Sequence, residues 1–79
     1  MEFEKILCKE FGKENVELEY SRKNNENILK LIIHSRDGKK EFKADEILLI
    51  EDSFELGGKK YSIEEFIKAL NNSFNRNED

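Results

Sequence analysis

The dipeptide Asp37-Gly38 constrains the fold most strongly, because it stands between two segments that alternate apolar and polar side chains. Asp-Gly is a frequent central pair of two-residue type I′ hairpin turns. Such a turn places Ile33 opposite Phe42. It also places Leu31 opposite Ala44. The sequence therefore predicts an antiparallel hairpin with one apolar face, which carries Leu29, Leu31, Ile33, Phe42 and Ala44.

The same register predicts the pairs on the other, polar face of this hairpin. His34 lies opposite Glu41, and Ile32 lies opposite Lys43. A slip of one residue would mix the apolar and polar sets. We therefore expect the only histidine to form a surface cross-strand pair rather than to act as a general base.

Other segments extend the predicted sheet. Residues 16–20 alternate apolar and acidic side chains, which indicates a strand with one buried face, and residues 23–27 form a polar turn. Residues 47–50 are apolar on both faces, as in an interior strand. Residues 54–61 form a small hairpin around Gly57-Gly58, which pairs Phe54 with Tyr61 and Glu55 with Lys60.

Helical periodicity marks both ends of the chain. The first stripe consists of Phe3, Ile6, Leu7 and Phe11, and Gly12 follows as a C-terminal cap. The second helix begins with Ser62 as N-cap and Glu65 completing a capping box. Its inner stripe consists of Ile63, Phe66, Ile67, Leu70 and Phe74.

The predicted order is α-β-β-β-β-α, an α+β fold in which two helices cover one face of a four-stranded antiparallel sheet. We expect a single domain over residues 1–73 and a polar tail over residues 74–79.

The composition argues against most enzyme classes. One cysteine and one histidine cannot build a metal cluster, and Cys8 is expected to be a small buried hydrophobe. We therefore expect no catalytic residue, no cofactor and no metal. No apolar run is long enough to span a membrane. The first residues are acidic, so we expect that they are not a signal peptide. A lone cysteine is typical of a protein in the reducing cytoplasm, where we expect this chain to act.

A cluster of cations suggests one alternative function. Arg36, Lys39, Lys40 and Lys43 surround the first hairpin tip, and Lys59 and Lys60 lie at the second. If both tips lie at the same end of the sheet, these six cations form a patch that can contact phosphates. The chain would then be a small nucleic-acid-binding module, although its net charge is −4.

The residue pattern of segments 28–42 and 63–70 resembles that of small phage-encoded anti-CRISPR proteins, which inhibit the type II RNA-guided nuclease. The predicted order of helix, short antiparallel sheet and helix resembles theirs as well. The resemblance implies an acidic Asp-Gly hairpin tip that enters the nuclease active site, while neighbouring carboxylates occupy the groove for target DNA. Asp37 and Gly38 match that tip, and Glu41 corresponds to a following acid.

We therefore expect a non-enzymatic, protein-binding inhibitor encoded by a phage or mobile element, acting in the cytoplasm of a bacterial host. Abundant Lys, Ile, Asn and Glu indicate a low-GC genome. The expected partner is a protein, with an RNA-guided nuclease as the leading class and no membrane contact. A structural or regulatory subunit of a host complex, or a dimer, is the remaining alternative. The expected partner-binding residues are Arg36, Asp37, Gly38, Lys39, Lys40 and Glu41.

Overall fold

The computed structural model describes residues 2–51 and 53–75, and these residues form an α+β fold. Five antiparallel strands follow one another in the sheet in chain order. The elements are helix α1 (Glu2–Phe11), a 3₁₀ turn (Lys13–Asn15), β1 (Val16–Lys23), β2 (Glu26–His34), β3 (Glu41–Ile50), β4 (Ser53–Leu56), β5 (Lys59–Ser62) and helix α2 (Ile63–Asn75). Neither described helix is long and apolar enough to cross a membrane.

The predicted count of four strands is wrong, because the sheet has five. Strand β3 is one continuous strand, which includes both the second half of the Asp37-Gly38 hairpin and the apolar residues 47–50. The second hairpin then contributes two short strands, β4 and β5, with the predicted pairs Phe54 to Tyr61 and Glu55 to Lys60.

A bulge in β3 shifts the register of this long strand and thereby keeps its apolar side chains in the core. Leu31 lies opposite Ala44, but Leu29 lies opposite Ile47, so β3 has one extra residue between these two pairs. An unbroken register would place Glu46 opposite Leu29, which is completely buried. The bulge instead leaves Glu46 exposed and brings Ile47 into the core, which avoids burying an unpaired carboxylate.

Both helices pack on one face of the sheet, here called the helix face, and the opposite face is called the open face. The buried core consists of Phe3, Leu7, Phe11, Leu29, Leu31, Ile33, Ile47, Leu49, Phe54, Phe66 and Leu70. Aromatic contacts connect the elements around it. The ring of Phe54 lies 4.6 Å from the rings of both Phe3 and Phe66, and Phe42 lies 5.6 Å from Phe66.

The predicted stripe of α1 is correct except for one residue. Phe3, Leu7 and Phe11 are buried, whereas Ile6 is 37% exposed. Successive helical residues are separated by about 100°, so Ile6 points to the side of a stripe centred on Leu7. Gly12 ends the helix with a positive φ of 95°, which favours glycine.

The start of α2 confirms the predicted capping box. The Ser62 N–H donates to Oε1 of Glu65 at 3.0 Å, and the Glu65 N–H donates to the Ser62 hydroxyl at 3.1 Å. The helix continues to Asn75, and Phe74 makes an edge contact with Phe11 at 6.0 Å. Of the predicted tail, residues 74 and 75 thus belong to α2, and residues 76–79 lie outside the described residues.

Phe66→Ala should lower the free energy of unfolding by about 3–5 kcal/mol, because it leaves a cavity between α2 and the sheet. Ile6→Ala removes a half-exposed side chain and should cost only about 0.5 kcal/mol. Urea unfolding followed by circular dichroism measures both. Equal losses in the two variants would contradict the packing described here.

Candidate functional site

The β2–β3 loop, residues 35–40, contains most of the predicted partner-binding residues. The strands that flank it have the predicted pairs Ile33 to Phe42 and His34 to Glu41. Beyond them, the Ser35 N–H donates to the Lys40 carbonyl at 2.9 Å. Four residues therefore separate this last pair, and the predicted two-residue type I′ turn is wrong.

The loop instead begins with a β-turn over residues 35–38. The Gly38 N–H donates to the Ser35 carbonyl at 2.9 Å, and Gly38 has a positive φ of 73°. The φ of Asp37 is not positive, although a type I′ turn requires positive values at both central residues. Two-residue turns with positive φ at both positions occur elsewhere, at Asn24-Asn25 and at Gly57-Gly58.

Side-chain hydrogen bonds explain why the loop has this wider form. Oδ1 of Asp37 accepts from the Ser35 hydroxyl at 2.6 Å and from the Lys39 N–H at 2.9 Å. The Ser35 hydroxyl oxygen accepts from the Lys40 N–H at 3.0 Å. Such local bonds from Ser and Asp compete with a regular hairpin turn. Ser35, two residues before Asp37, is the sequence signal for this form.

These hydrogen bonds also favour the ionised form of Asp37. The bond from Ser35 has the largest effect and the bond from the Lys39 N–H the next, and together they lower the pKa of Asp37 below its usual value. The carboxylate therefore keeps its negative charge at the surface of the loop.

Two cations of the loop contact the C-terminal ends of the helices. Arg36 Nη2 donates to the Glu10 carbonyl of α1 at 3.2 Å. Lys40 Nζ donates to the Ser73 carbonyl of α2 at 3.4 Å. Terminal helix carbonyls carry partial negative charge, and the last turn of α2 contains no basic residue of its own. Arg36 and Lys40 thus tie the loop to both helices.

The remaining loop residues, Asp37, Gly38 and Lys39, are exposed and are here called the loop apex. A groove of about 350 Å³ separates the loop from the helix ends. Its walls include Glu10 and Asn71, which connect α1 to α2 through a 3.4 Å hydrogen bond.

Glu41, the last predicted partner-binding residue, lies on the open face beside His34. The His34 Nδ1 atom is 3.6 Å from Oε1 of Glu41, which confirms the predicted cross-strand pair. Cys8 is half-buried on α1, which covers the opposite face of the sheet, so the fold does not bring Cys8 and His34 together. Within residues 2–51 and 53–75, no group of three or more His, Cys, Asp or Glu side chains could hold a metal ion.

The cations of the second hairpin tip do not form one patch with those of the first. Leu48 pairs with Glu55, so the Gly57-Gly58 turn lies beside Glu46, halfway along β3. Strand β3 continues for five more residues to Glu41, about 17 Å at the usual rise per residue. Both tips point the same way, but Lys59 and Lys60 stop short of the β2–β3 loop, and Lys59 lies over the Tyr61 ring at 5.4 Å.

No protein-family model matches the chain, and comparisons with curated proteins and with solved structures also found no match.

Asp37→Asn keeps an oxygen acceptor for the two loop hydrogen bonds but removes the titrating group. Because the folded pKa is lowered, the charge of Asp37 stabilises the fold above the ordinary pKa of about 3.8 and ceases to do so as the pH falls through the lowered value. The parent should therefore melt at a higher temperature than the variant near neutral pH. The difference should shrink towards zero as the pH falls below the lowered pKa.

Glu65, whose pKa is also lowered, titrates in both proteins and cancels from this comparison. A difference in melting temperature that is the same at every pH would contradict the role of the Asp37 charge.

Proposed function

We propose that this protein is a non-enzymatic inhibitor of phage or mobile-element origin, which binds a bacterial nucleic-acid-processing enzyme through its β2–β3 loop. One observation carries the proposal. The loop apex is exposed, while the residues on either side of it are held by the fold. The apex can therefore enter a cleft without first losing conformational freedom.

The anchoring of the loop supports tight binding by a small surface. Ordering a mobile loop on binding costs free energy, and a loop that is already ordered avoids that cost. Here the Ser35 hydroxyl and the Asp37 carboxylate connect the loop internally, and Arg36 and Lys40 connect it to the helices. The residues on both sides of the apex are thus in contact with the two helices.

The Asp37 carboxylate supports an enzyme that handles nucleic acid as the target, and the neighbouring Lys39 makes the apex as a whole neutral. The Asp37 carboxylate stays ionised, and a carboxylate can occupy a position that a phosphate normally takes in a basic cleft. Glu41 adds a second carboxylate near the base of the loop. The resemblance to anti-CRISPR proteins makes the type II RNA-guided nuclease of a low-GC bacterium the leading candidate, and the site of action is then the bacterial cytoplasm.

The geometry gives less support to a nucleic-acid-binding module. Two of its four cations at the first tip, Arg36 and Lys40, contact helix carbonyls. The two cations of the second tip are set back along the sheet by about 17 Å. A compact basic patch is therefore absent from the described residues around the two tips.

The test measures cleavage of a target DNA by purified type II nucleases from low-GC bacteria, with increasing amounts of the protein. We expect inhibition at near-stoichiometric amounts. Asp37→Asn should weaken it at least tenfold, because the variant keeps the loop hydrogen bonds but loses the charge. Asp45→Asn is the matched control: it removes a carboxylate from the exposed β3 bulge and should leave inhibition unchanged.

Equal effects of the two variants would contradict a role for the loop apex. Absence of inhibition, together with direct binding to DNA that falls with salt by a slope near −0.9 per neutralised phosphate, would favour the nucleic-acid-binding alternative. Binding to a host complex without loss of its activity would favour a structural or regulatory subunit.

His34→Ala and Cys8→Ser should each leave inhibition within about a factor of two of the parent, because neither residue has the partners that catalysis requires. Melting curves verify that each variant folds. Loss of inhibition by a folded variant would reopen an enzymatic mechanism.

A further inference from the structure

Strand β1 is a long, regular edge of the sheet. It is the first strand in the sheet order, and of the described strands it pairs with β2 alone, over eight residues without a bulge. The other edge strand, β5, has four residues and leads directly into α2. Unpaired edges bind other strands unless charge or shape prevents it, so the chemistry of the β1 edge decides what it can bind.

The turn after β1 shows which backbone groups face away from the sheet. Lys23 and Glu26 close the two-residue turn, and residues that close such a turn form a hydrogen-bonded pair. Even-numbered residues of β1 therefore direct their N–H and C=O groups outward. The Val16 N–H agrees with this pattern, because it donates to Lys13 of the 3₁₀ turn rather than to β2. No described residue bonds the outward groups of Leu18, Tyr20 and Arg22.

The charges along β1 are complementary to those of a second β1 strand that runs in the opposite direction. Glu17 and Glu19 lie in the first half of the strand, and Arg22 and Lys23 lie in the second. We propose that β1 pairs antiparallel with β1 of a second copy of this chain, about a two-fold axis at Tyr20. The product is a dimer with one continuous ten-stranded sheet.

The charge pattern also selects the register. With Tyr20 opposite Tyr20, Glu17 lies opposite Lys23 on both sides of the axis, and Glu19 lies opposite Ser21. Glu17 and Lys23 then occupy non-hydrogen-bonded positions, where facing side chains are closest. Moving the axis to Glu19 places two carboxylates opposite each other. Moving it to Ser21 shortens the paired segment to residues 19–23.

Tyr20 gives the centre of this interface an apolar contact. It lies on the helix face, opposite Leu29 of β2. Among the described side chains, Tyr20 is an exposed large hydrophobic residue, with 38% of its surface accessible. In the dimer its ring packs beside the same ring of the second copy, as aromatic cross-strand pairs do. The edge alone buries a small area, so the dimer should be weak.

This inference is independent of the proposed function. Val16 pairs with Ile33 near the β2–β3 loop, and Lys23 lies at the far end of the sheet. An antiparallel dimer therefore points the two β2–β3 loops in opposite directions and leaves both free.

The test is sedimentation velocity of the full chain between about 10 µM and 1 mM, a range suited to a weak interface. The parent should pass from monomer to dimer. Glu17→Lys and Lys23→Glu should each weaken dimerisation at least tenfold, because each creates two like-charge pairs. The double variant E17K/K23E restores both pairs and should dimerise like the parent. An equimolar mixture of the two single variants should form a heterodimer for the same reason.

Glu46→Lys is the matched control for Glu17→Lys, because it makes the same change of net charge. It lies on the exposed β3 bulge and should not alter dimerisation. Amide hydrogen exchange locates the interface: protection of Leu18, Tyr20 and Arg22 should rise with concentration.

A parent that stays monomeric up to 1 mM would overturn the proposal, whether or not the edge accepts another peptide. A dimer that survives Glu17→Lys and Lys23→Glu, or that the double variant does not restore, would overturn it as well.

Discussion

The bulge at Asp45 and Glu46 keeps the apolar face of β3 continuous, and both helices pack on that face. Without the extra residue, every side chain from position 46 onward would change faces, because side chains alternate along a strand. Ile47 and Leu49 would then leave the core, and Glu46 would enter it. The contacts of Phe54 with Phe3 and Phe66 depend on the same register, because Phe54 pairs with Leu49.

The ends of the two helices and the β2–β3 loop stabilise one another. Each helix ends in carbonyls without helical partners, and the loop offers Arg36 to one and Lys40 to the other. These contacts are exposed, so their contribution to the free energy of folding is small. Their structural effect is that they connect the loop to both helices on either side of its apex. A fold with only a small core thereby presents one exposed projection with contacts at both of its sides.

The two proposed interaction surfaces use different physical principles. The loop apex relies on an ordered shape and on one ionised carboxylate, Asp37, beside the cation Lys39. The β1 edge relies on unpaired backbone groups, and its acidic first half and basic second half restrict which strand can join it. The surfaces lie at different parts of the sheet, so binding at one leaves the other accessible.

The sequence by itself determined the features that follow from alternation along a strand and from the spacing of a helix cap. The pairs of Ile33 with Phe42 and of Phe54 with Tyr61 follow from alternation on both sides of a turn, and the capping box of Ser62 and Glu65 follows from their spacing. The form of the β2–β3 loop also depends on neighbouring residues, but Asp-Gly favours a type I′ turn, and the hydrogen bonds of Ser35 and Asp37 compete with that turn. Only the tertiary structure decided the exposure of Ile6. It also decided that Arg36 and Lys40 bind helix carbonyls, because their partners are 26 and 33 residues away in the chain. Local periodicity carries no information about such distant partners, since they meet only when the helices pack against the sheet.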